Sequence, residues 1–211
     1  MKRSLVIQIP VYILGLLLMT FGIALSSKAG IGVAPVSTIA FAVSRLVPLT
    51  FGMCSSSFHG LCFLAQYVIS RKLTILTVLQ IPAVYVFGLL IDFFSSILRF
   101  PPPDLLYAIP LIIVSALLFS LGIRIIIGSG LVLPPPDSLV RLISEKAGWP
   151  MSRTKLLFDI CVVTAAAAVT LVFLQDPFIA VGTGTILCVI ITGPAIGFYQ
   201  KALPFFDVAG E

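Results

Sequence analysis

His59 and Asp159 are ionisable side chains inside predicted apolar spans, where a charge is costly and therefore indicates function. His59, the only histidine, lies near the middle of the second predicted span, and Asp159 lies in the fifth. We interpret both as lining a solute pathway or relaying protons, since histidine titrates near neutral pH. The alternative is that they only join neighbouring helices through hydrogen bonds.

Further polar groups accompany these two residues. The second span carries a polar stripe at spacings of three or four residues, which places its members on one helix face, turned to the bundle interior: Ser55, Ser56, His59, Cys62, Gln66 and Ser70. The fifth span opens with Arg153 and Lys155, so we expect one of them to pair with Asp159. Gln80 and Thr185, each one turn into its span, are secondary candidates.

Two glycine-rich breaks supply the other candidate site residues. The first runs from Lys28 through Gly30 and Gly32 to Ser37, and the second runs through Gly130 to Asp137. Ser37 and Asp137 are both favoured at helix N-caps, and a helix N-terminus can bind a small anion. We therefore predict that the first break binds an anionic or polar group, and that Asp137 binds a coupling cation or caps its own helix. Two structural turns with internally satisfied caps are the alternative.

The composition places these groups in a membrane. The chain has 211 residues, 59% hydrophobic and only 10% charged, with a mean hydropathy of +1.19, whereas soluble domains carry roughly 25% charged residues. Abundant apolar residues and only four cysteines exclude disordered and disulfide-scaffold classes. The net charge of +5 comes from scattered lysines and arginines, which indicates membrane orientation and no nucleic-acid partner.

The apolar runs predict an all-α integral membrane protein with six transmembrane helices. The spans are 5–27, 52–70, 74–98, 104–127, 153–174 and 178–200, and two short segments at 33–47 and 133–147 read as half-helices or re-entrant segments. The start also resembles a secretory signal, but its apolar run is too long and contains Gln8 and Pro10. Ten lysines and arginines, Arg124 among them, lie at the ends that share a side with Lys2 and Arg3, against three at the other ends, so we expect both termini in the cytoplasm.

The chain aligns with itself at an offset of 100 residues. Glycine and proline pairs carry the alignment, because these residues mark special backbone positions: Pro10/Pro110, Gly22/Gly122, Gly30/Gly130 and Pro35/Pro135. We predict two repeats, 1–100 and 101–211, each with three spans and a half-helix. An odd number of spans inverts the second repeat, an architecture common in secondary transporters, although duplication also builds structural membrane proteins.

Signals of an enzyme are missing from the sequence. The chain has no H-E-x-x-H motif, no P-loop and no G-x-S-x-G nucleophile elbow. Its cysteines, Cys54, Cys62, Cys161 and Cys188, form no C-x-x-C pair and read as buried apolar residues. We expect no catalytic residues, no cofactor and no metal.

Three stretches resemble the bacterial YczE/YyaS/YitT-type membrane proteins. They are FGIALSSKAGIGVAP, PPPDSLVRLISEKAGWPMSRTKLLFD and VGTGTILCVIITGPAIGF. In the first half this family usually has Trp-Asp after the break proline, where this chain has Val36-Ser37, so any shared ligand specificity is open. The resemblance implies a multi-pass protein of the bacterial cytoplasmic membrane and supplies no substrate.

Together these patterns predict a transporter or permease for a small polar or anionic solute, bound at the repeat interface. Expected partners are the lipid bilayer, the solute, a coupling proton or sodium ion, and a second copy or partner subunit. The alternative is a substrate-binding or accessory membrane subunit without transport of its own. A surface of small residues on the first helix, such as Gly15 and Gly22, would support that alternative.

Overall fold

The computed structural model describes residues 5–99 and 104–206, except for the side chain of Phe205. Every regular element in these ranges is helical: α1 Leu5–Lys28, a 3-10 turn Pro35–Ser37, α2 Thr38–Ser44, α3 Phe51–Ser70, α4 Ile75–Ile97, α5 Leu105–Ser129, α6 Pro135–Ala147, α7 Met151–Leu174, α8 Thr183–Ala202 and a 3-10 turn Pro204–Phe206. The all-helical prediction is therefore confirmed. Lys2 and Arg3, on which the predicted orientation partly depends, lie outside the described residues.

Five of the described helices, α1, α4, α5, α7 and α8, are long and apolar enough to cross a membrane. The predicted span at 52–70 forms as α3, which is 20 residues long but is not among the five. Its serines, His59 and Gln66 reduce its hydropathy, so the prediction of six spans is not confirmed. The last span begins at Thr183 and not at 178, because turns occupy the preceding residues.

The residues at which the helices begin and end follow from local chemistry. Gly130 and Gly148 adopt left-handed backbone angles directly after α5 and α6, where glycine carries no steric penalty. Pro135 opens α6, since proline suits the first turn of a helix. The hydroxyl of Thr50 accepts a hydrogen bond from the Met53 amide at 3.1 Å and so caps α3. Both short predicted segments therefore contain a helix, α2 and α6.

The structure divides into two compact units, each built from both halves of the sequence. Of the described residues, unit 1 contains 5–34, 90–99, 104–131 and 182–206, and in it α5 packs against α1 and α8. Close contact of α1 with α5 depends on glycine: a Cβ at Gly15 would lie 2.8 Å from the Gly122 carbonyl oxygen. Ala29, Ile112, Ala116 and Cys188 form an apolar core there.

Unit 2 contains residues 35–89 and 132–181. In it α2 packs on α7 and on α3, while α6 packs on α3 and on α7. The Lys146 ammonium, in the last turns of α6, donates a hydrogen bond to the Ile69 carbonyl oxygen near the end of α3 at 2.6 Å. Unit 2 therefore holds both short helices together with the helix that follows each of them.

Candidate functional site

A charged cluster joins α6 and α7 inside unit 2. The Lys155 ammonium lies 3.2 Å from Asp137 Oδ1 and 3.3 Å from Asp159 Oδ1. The predicted pair of Asp159 with a basic residue is thus confirmed for Lys155, which precedes it by one helical turn. The contact of Lys155 with Asp137 adds a second carboxylate that the sequence pattern did not predict.

The cluster carries more negative than positive charge in a partly enclosed position. The side chains of Asp137 and Asp159 are 13% and 17% exposed, and that of Lys155 is 31% exposed. Two carboxylates face one ammonium, so full ionisation leaves one negative charge without a partner. An uncompensated charge away from water is costly, and this imbalance is the electrostatic property that defines the site.

The start of α6 determines where Asp137 lies. The prolines shift the beginning of the helix, so Pro134 occupies the N-cap and Asp137 lies in the first turn. A carboxylate there is favoured by the unpaired amides and the positive end of the helix dipole. The prediction that Asp137 caps its helix is wrong, because its carboxylate pairs with Lys155 in α7 instead. Ser37 does occupy an N-cap but makes no side-chain capping bond.

The polar face of α3 lies beside the charged cluster. Ser55, His59 and Cys62 are buried, which agrees with the predicted inward-facing stripe. The His59 ring stacks on the Phe87 ring with centroids 4.5 Å apart. The α3 helix packs on α6, whose first turn carries Asp137. The cluster and the stripe therefore form one polar region of unit 2.

Oxygen atoms in unit 2 lack hydrogen-bond donors. Four buried side-chain oxygens among the described residues of unit 2 accept no hydrogen bond: Ser55 Oγ, Gln66 Oε1, Gln80 Oε1 and Asp159 Oδ1. Asp159 Oδ1 is nevertheless ion-paired with the Lys155 ammonium at 3.3 Å, so the oxygens of this set without any partner are those of Ser55, Gln66 and Gln80. Buried oxygens in folded proteins usually have a partner. Unfilled acceptors in the same unit as two carboxyl groups and one ammonium suit a group rich in hydrogen-bond donors.

Gln80 connects α4 to the second break. Its amide nitrogen donates to the Leu133 carbonyl oxygen at 3.1 Å and to the Ser138 hydroxyl at 2.9 Å. The side chain is only 4% exposed, and its carbonyl oxygen is the unpartnered atom. Gln80 therefore fixes the first turn of α6, which carries Asp137. The sequence indicated Gln80 only as a secondary candidate and did not predict this positioning role.

The first break is held by the start of α8 within unit 1. Gly30 and Gly32 have φ angles of 72° and 105°, which only glycine adopts without strain. The Gly184 amide donates to the Ile31 carbonyl oxygen at 2.7 Å, and a Cβ at Gly32 would lie 2.5 Å from Thr185 Oγ1. This arrangement favours the structural alternative for this break.

The remaining predicted site residues are placed elsewhere. Lys28 is half-buried in the last turn of α1, and the exposed Arg153 guanidinium lies over the Trp149 ring, 5.1 Å from its centroid. Arg124, read from the sequence as a charge at a cytoplasmic helix end, is 2% exposed within α5. Its position inside an apolar run was the feature of the sequence that could have indicated this burial. Among the described residues, no group of three potential metal-ligating side chains occurs.

The helices and their composition define a multi-pass membrane protein. The chain belongs to DUF6198, a family of unknown function whose signature matches residues 6–201. It is 28% identical over 201 residues to the uncharacterized membrane protein YczE of Bacillus subtilis (strain 168), covering 94% of this chain and 87% of that protein. It is 24% identical over 184 residues to the uncharacterized protein YyaS of the same organism, covering 86% and 87%.

These relatives confirm the resemblance to the YczE type. No solved structure gives a significant match to the chain. The family is one of unknown function and both relatives are uncharacterized. A function therefore has to be inferred from the site.

Proposed function

We propose that this protein is a membrane transporter for a small polar solute, in which the cluster Asp137–Lys155–Asp159 binds the solute or its coupling ion. The observation that carries the proposal is this ion-paired cluster beside the unpartnered oxygens of unit 2. Ionisable groups are kept within membrane helices where they serve transport or a proton relay. A purely structural role would require only a balanced pair, as Lys155 and Asp159 would form alone.

The packing supports two inverted repeats as the framework of transport. The short helix of each half packs on the long helix of the other half: α2 on α7, and α6 on α3. In unit 1 the first helices of the halves, α1 and α5, pack on each other. Such reciprocal exchange is expected when an odd number of spans inverts one repeat against the other.

Equivalent anchors at the two breaks also support the repeats. Gln80 and Thr185 occupy corresponding positions near the starts of α4 and α8. Gln80 holds the second break through Leu133 and Ser138, and Thr185 lies against Gly32 of the first break. Non-helical backbone at membrane depth needs such partners. In this proposal the halves remain 1–100 and 101–211.

The negative charge of the cluster disfavours an anionic solute. A net negative site with unfilled acceptors favours a polar solute that carries hydrogen-bond donors over an anion. The proposal therefore keeps a small polar solute, coupled to a proton or sodium ion, and gives up the anionic class. Transport, and not catalysis, remains the proposed activity.

A binding subunit without transport of its own is less well supported. That alternative needs an exposed surface of small residues on α1. A Cβ at Gly22 would lie 2.8 Å from the Ser115 carbonyl oxygen of α5, and Gly15 likewise faces α5. Both glycines are thus used inside unit 1. We also propose that the protein lies in the bacterial cytoplasmic membrane with both termini in the cytoplasm. Labelling of single cysteines placed at each terminus would test this orientation.

Reconstitution of the purified full chain alone in liposomes tests the proposal. Radiolabelled amino acids, amines and organic acids are offered with an outward or inward sodium or proton gradient. We expect gradient-driven accumulation of an amino acid or amine above protein-free liposomes. A solute that stabilises the protein but is not taken up would support the subunit alternative and contradict the proposal.

The variant Asp159→Asn separates coupling from passage. If the cluster couples an ion to the solute, this change stops accumulation against a gradient and leaves exchange of labelled for unlabelled solute. The matched control is Glu145→Gln, which removes an exposed carboxylate paired with Arg141 on α6. Accumulation that is equal in the wild type and Asp159→Asn would refute the assignment of the site.

A further inference from the structure

We propose that unit 2 binds the headgroups of anionic phospholipids at the end where α3 and α6 finish and α7 begins. The surface, called here the basic surface, consists of four exposed basic side chains around the exposed Trp149: Arg71, Lys72, Lys146 and Arg153. Such a lipid site is independent of the proposed transport, since it needs neither a solute nor a coupling ion.

A hydrogen bond joins the ends of α3 and α6. The Lys146 ammonium, in the last turn of α6, donates to the Ile69 carbonyl oxygen of α3 at 2.6 Å. Arg71 and Lys72 follow within three residues of that carbonyl, where Arg71 ends α3 in a left-handed conformation. Basic residues that are more than 70 positions apart in the sequence are thus gathered at one end of unit 2.

The single tryptophan of the chain lies at the same end, between α6 and α7. The Ser144 hydroxyl donates to the Trp149 carbonyl oxygen at 2.7 Å, and the Trp149 amide donates to the Ser144 carbonyl oxygen at 3.1 Å. These two bonds fold the connection back onto α6, while the Arg153 guanidinium lies 5.1 Å from the centroid of the indole ring. Exposed tryptophan is typical of the headgroup level of a membrane, which is where an anionic lipid would meet these cations.

The basic surface carries an excess of positive charge. Within the described part of the chain, none of its four basic side chains forms an ion pair. The acidic side chain in the last turns of α6, Glu145, is already paired with Arg141 at 2.9 Å. Basic residues at a membrane surface attract anionic lipids, and each contributes up to about fivefold in affinity.

The opposite ends of α3 and α7 are balanced in charge. Arg45 lies near the start of α3, because the Phe41 ring of α2 contacts the Phe51 ring of α3 with centroids 5.3 Å apart. Asp176 follows the end of α7 and has the opposite charge. The 24 residues of α7 extend over about 36 Å, which exceeds the hydrocarbon core of about 30 Å. The excess of positive charge therefore belongs to one headgroup layer only.

Quenching of tryptophan fluorescence tests this lipid site, because Trp149 is the only tryptophan in the chain. The full chain is reconstituted in phosphatidylcholine vesicles with increasing fractions of brominated phosphatidylglycerol or, in parallel, of brominated phosphatidylcholine. Vesicles without bromine give the reference intensity. We expect phosphatidylglycerol to occupy the positions around Trp149 at least about threefold more strongly than phosphatidylcholine. Salt at about 1 M should weaken this preference, because it screens exposed charges.

Variants connect the lipid preference to the basic surface. The double variant Arg71→Gln with Lys72→Gln removes two exposed charges without changing the contacts of the tryptophan, so it should fold and should lose at least about half of the preference. The matched control is Arg45→Gln at the opposite end of α3. Its exposed guanidinium also lies over an aromatic ring, 4.6 Å from the Phe41 centroid, and the variant should keep the full preference.

Equal quenching of the wild type by the two brominated lipids would overturn the assignment of lipid to this surface, as would a preference that the double variant retains in full. An equal loss in Arg45→Gln would also overturn it, since the effect would then follow the total charge of the chain. These vesicles contain no solute and no gradient. A preference for phosphatidylglycerol would therefore stand even if the protein transported nothing, and uptake without such a preference would leave the transporter standing.

Discussion

The second half of the chain has a charged cluster where the first half has neutral polar residues. At the offset of 100 residues, Asp137, Lys155 and Asp159 correspond to Ser37, Ser55 and His59. Both sets lie in unit 2. The charged residues of the second half meet in ion pairs of 3.2 and 3.3 Å. In the first half, His59 stacks on Phe87 and the Ser55 hydroxyl has no partner.

This difference shows how a duplicated framework can place ionic chemistry in one copy. Ser37, Ser55 and His59 are all buried, whereas the charged side chains are 13–31% exposed, so the charged set lies closer to the surface of the unit. The backbone framework needs only polar, compact side chains there. The charges of the second half are therefore additions that the fold itself does not require, and this is the reason to connect them with function.

The largest effect is expected when the charge of Lys155 is removed. Lys155→Gln leaves two partly buried carboxylates without a counter-charge and should lower the free energy of unfolding by about 2–4 kcal/mol. Its counterpart Ser55→Ala should cost at most about 1 kcal/mol, since the Ser55 hydroxyl has no hydrogen bond to lose. Thermal unfolding in detergent without added sodium measures both, and equal effects would remove the contrast between the halves.

The two breaks extend the comparison to the backbone. Gly32, with φ at 105°, corresponds to Val132, so only the first break needs glycine there. Gly32→Ala should cost about 2–3 kcal/mol, because its Cβ would strain the backbone and meet Thr185 Oγ1. Gly30→Ala, at a φ of 72° with open space, should cost only about 1 kcal/mol. A tolerated Gly32→Ala would contradict the described packing of this break on α8.

Substitutions of Gln80 and Thr185, which anchor the second and the first break, should differ less in their cost in stability. Gln80→Leu removes two hydrogen bonds, to Leu133 and Ser138, and should cost about 1–2 kcal/mol. Thr185→Val removes the single bond of 3.3 Å from the Gly182 amide and should cost about 0.5–1 kcal/mol. Denaturation midpoints compare the pair. A larger loss for Thr185→Val would mean that the first break depends more strongly on its side-chain anchor.

The smallest effect is expected outside the two polar sets. Arg141 and Glu145 pair at 2.9 Å on α6, but their side chains are 63% and 60% exposed. Exposed pairs contribute little, so Glu145→Gln should change stability by less than about 0.5 kcal/mol. The same melting curves provide the check. A loss comparable with that of Lys155→Gln would show that burial is not what distinguishes the charged cluster.

Local patterns in the sequence predicted much of this site. The spacing of Lys155 and Asp159 by one turn predicted their pair, and the stripe on 52–70 predicted the buried face of α3. Pro135 correctly marked the first turn of α6. Each of these signals depends on helical periodicity or on the conformation of one residue, both of which can be read along the chain.

Contacts between helices were beyond such reading. Nothing in the spacing indicates that Asp137 meets Lys155, because their contact depends on how α6 packs on α7. The capping prediction for Asp137 was wrong because three consecutive prolines moved the helix start. Burial by neighbouring helices is also hard to read from the sequence: Arg124 was counted among the charges that set the orientation, whereas it is 2% exposed in α5.

Uptake by the Asp159→Asn and His59→Asn variants, measured side by side in liposomes, tests the central claim most directly. The two positions correspond between the halves, and both variants replace an ionisable group with the same amide. If the charged copy is the functional one, Asp159→Asn abolishes gradient-driven accumulation, while His59→Asn retains most of it. Loss of accumulation in His59→Asn with full activity in Asp159→Asn would contradict the account.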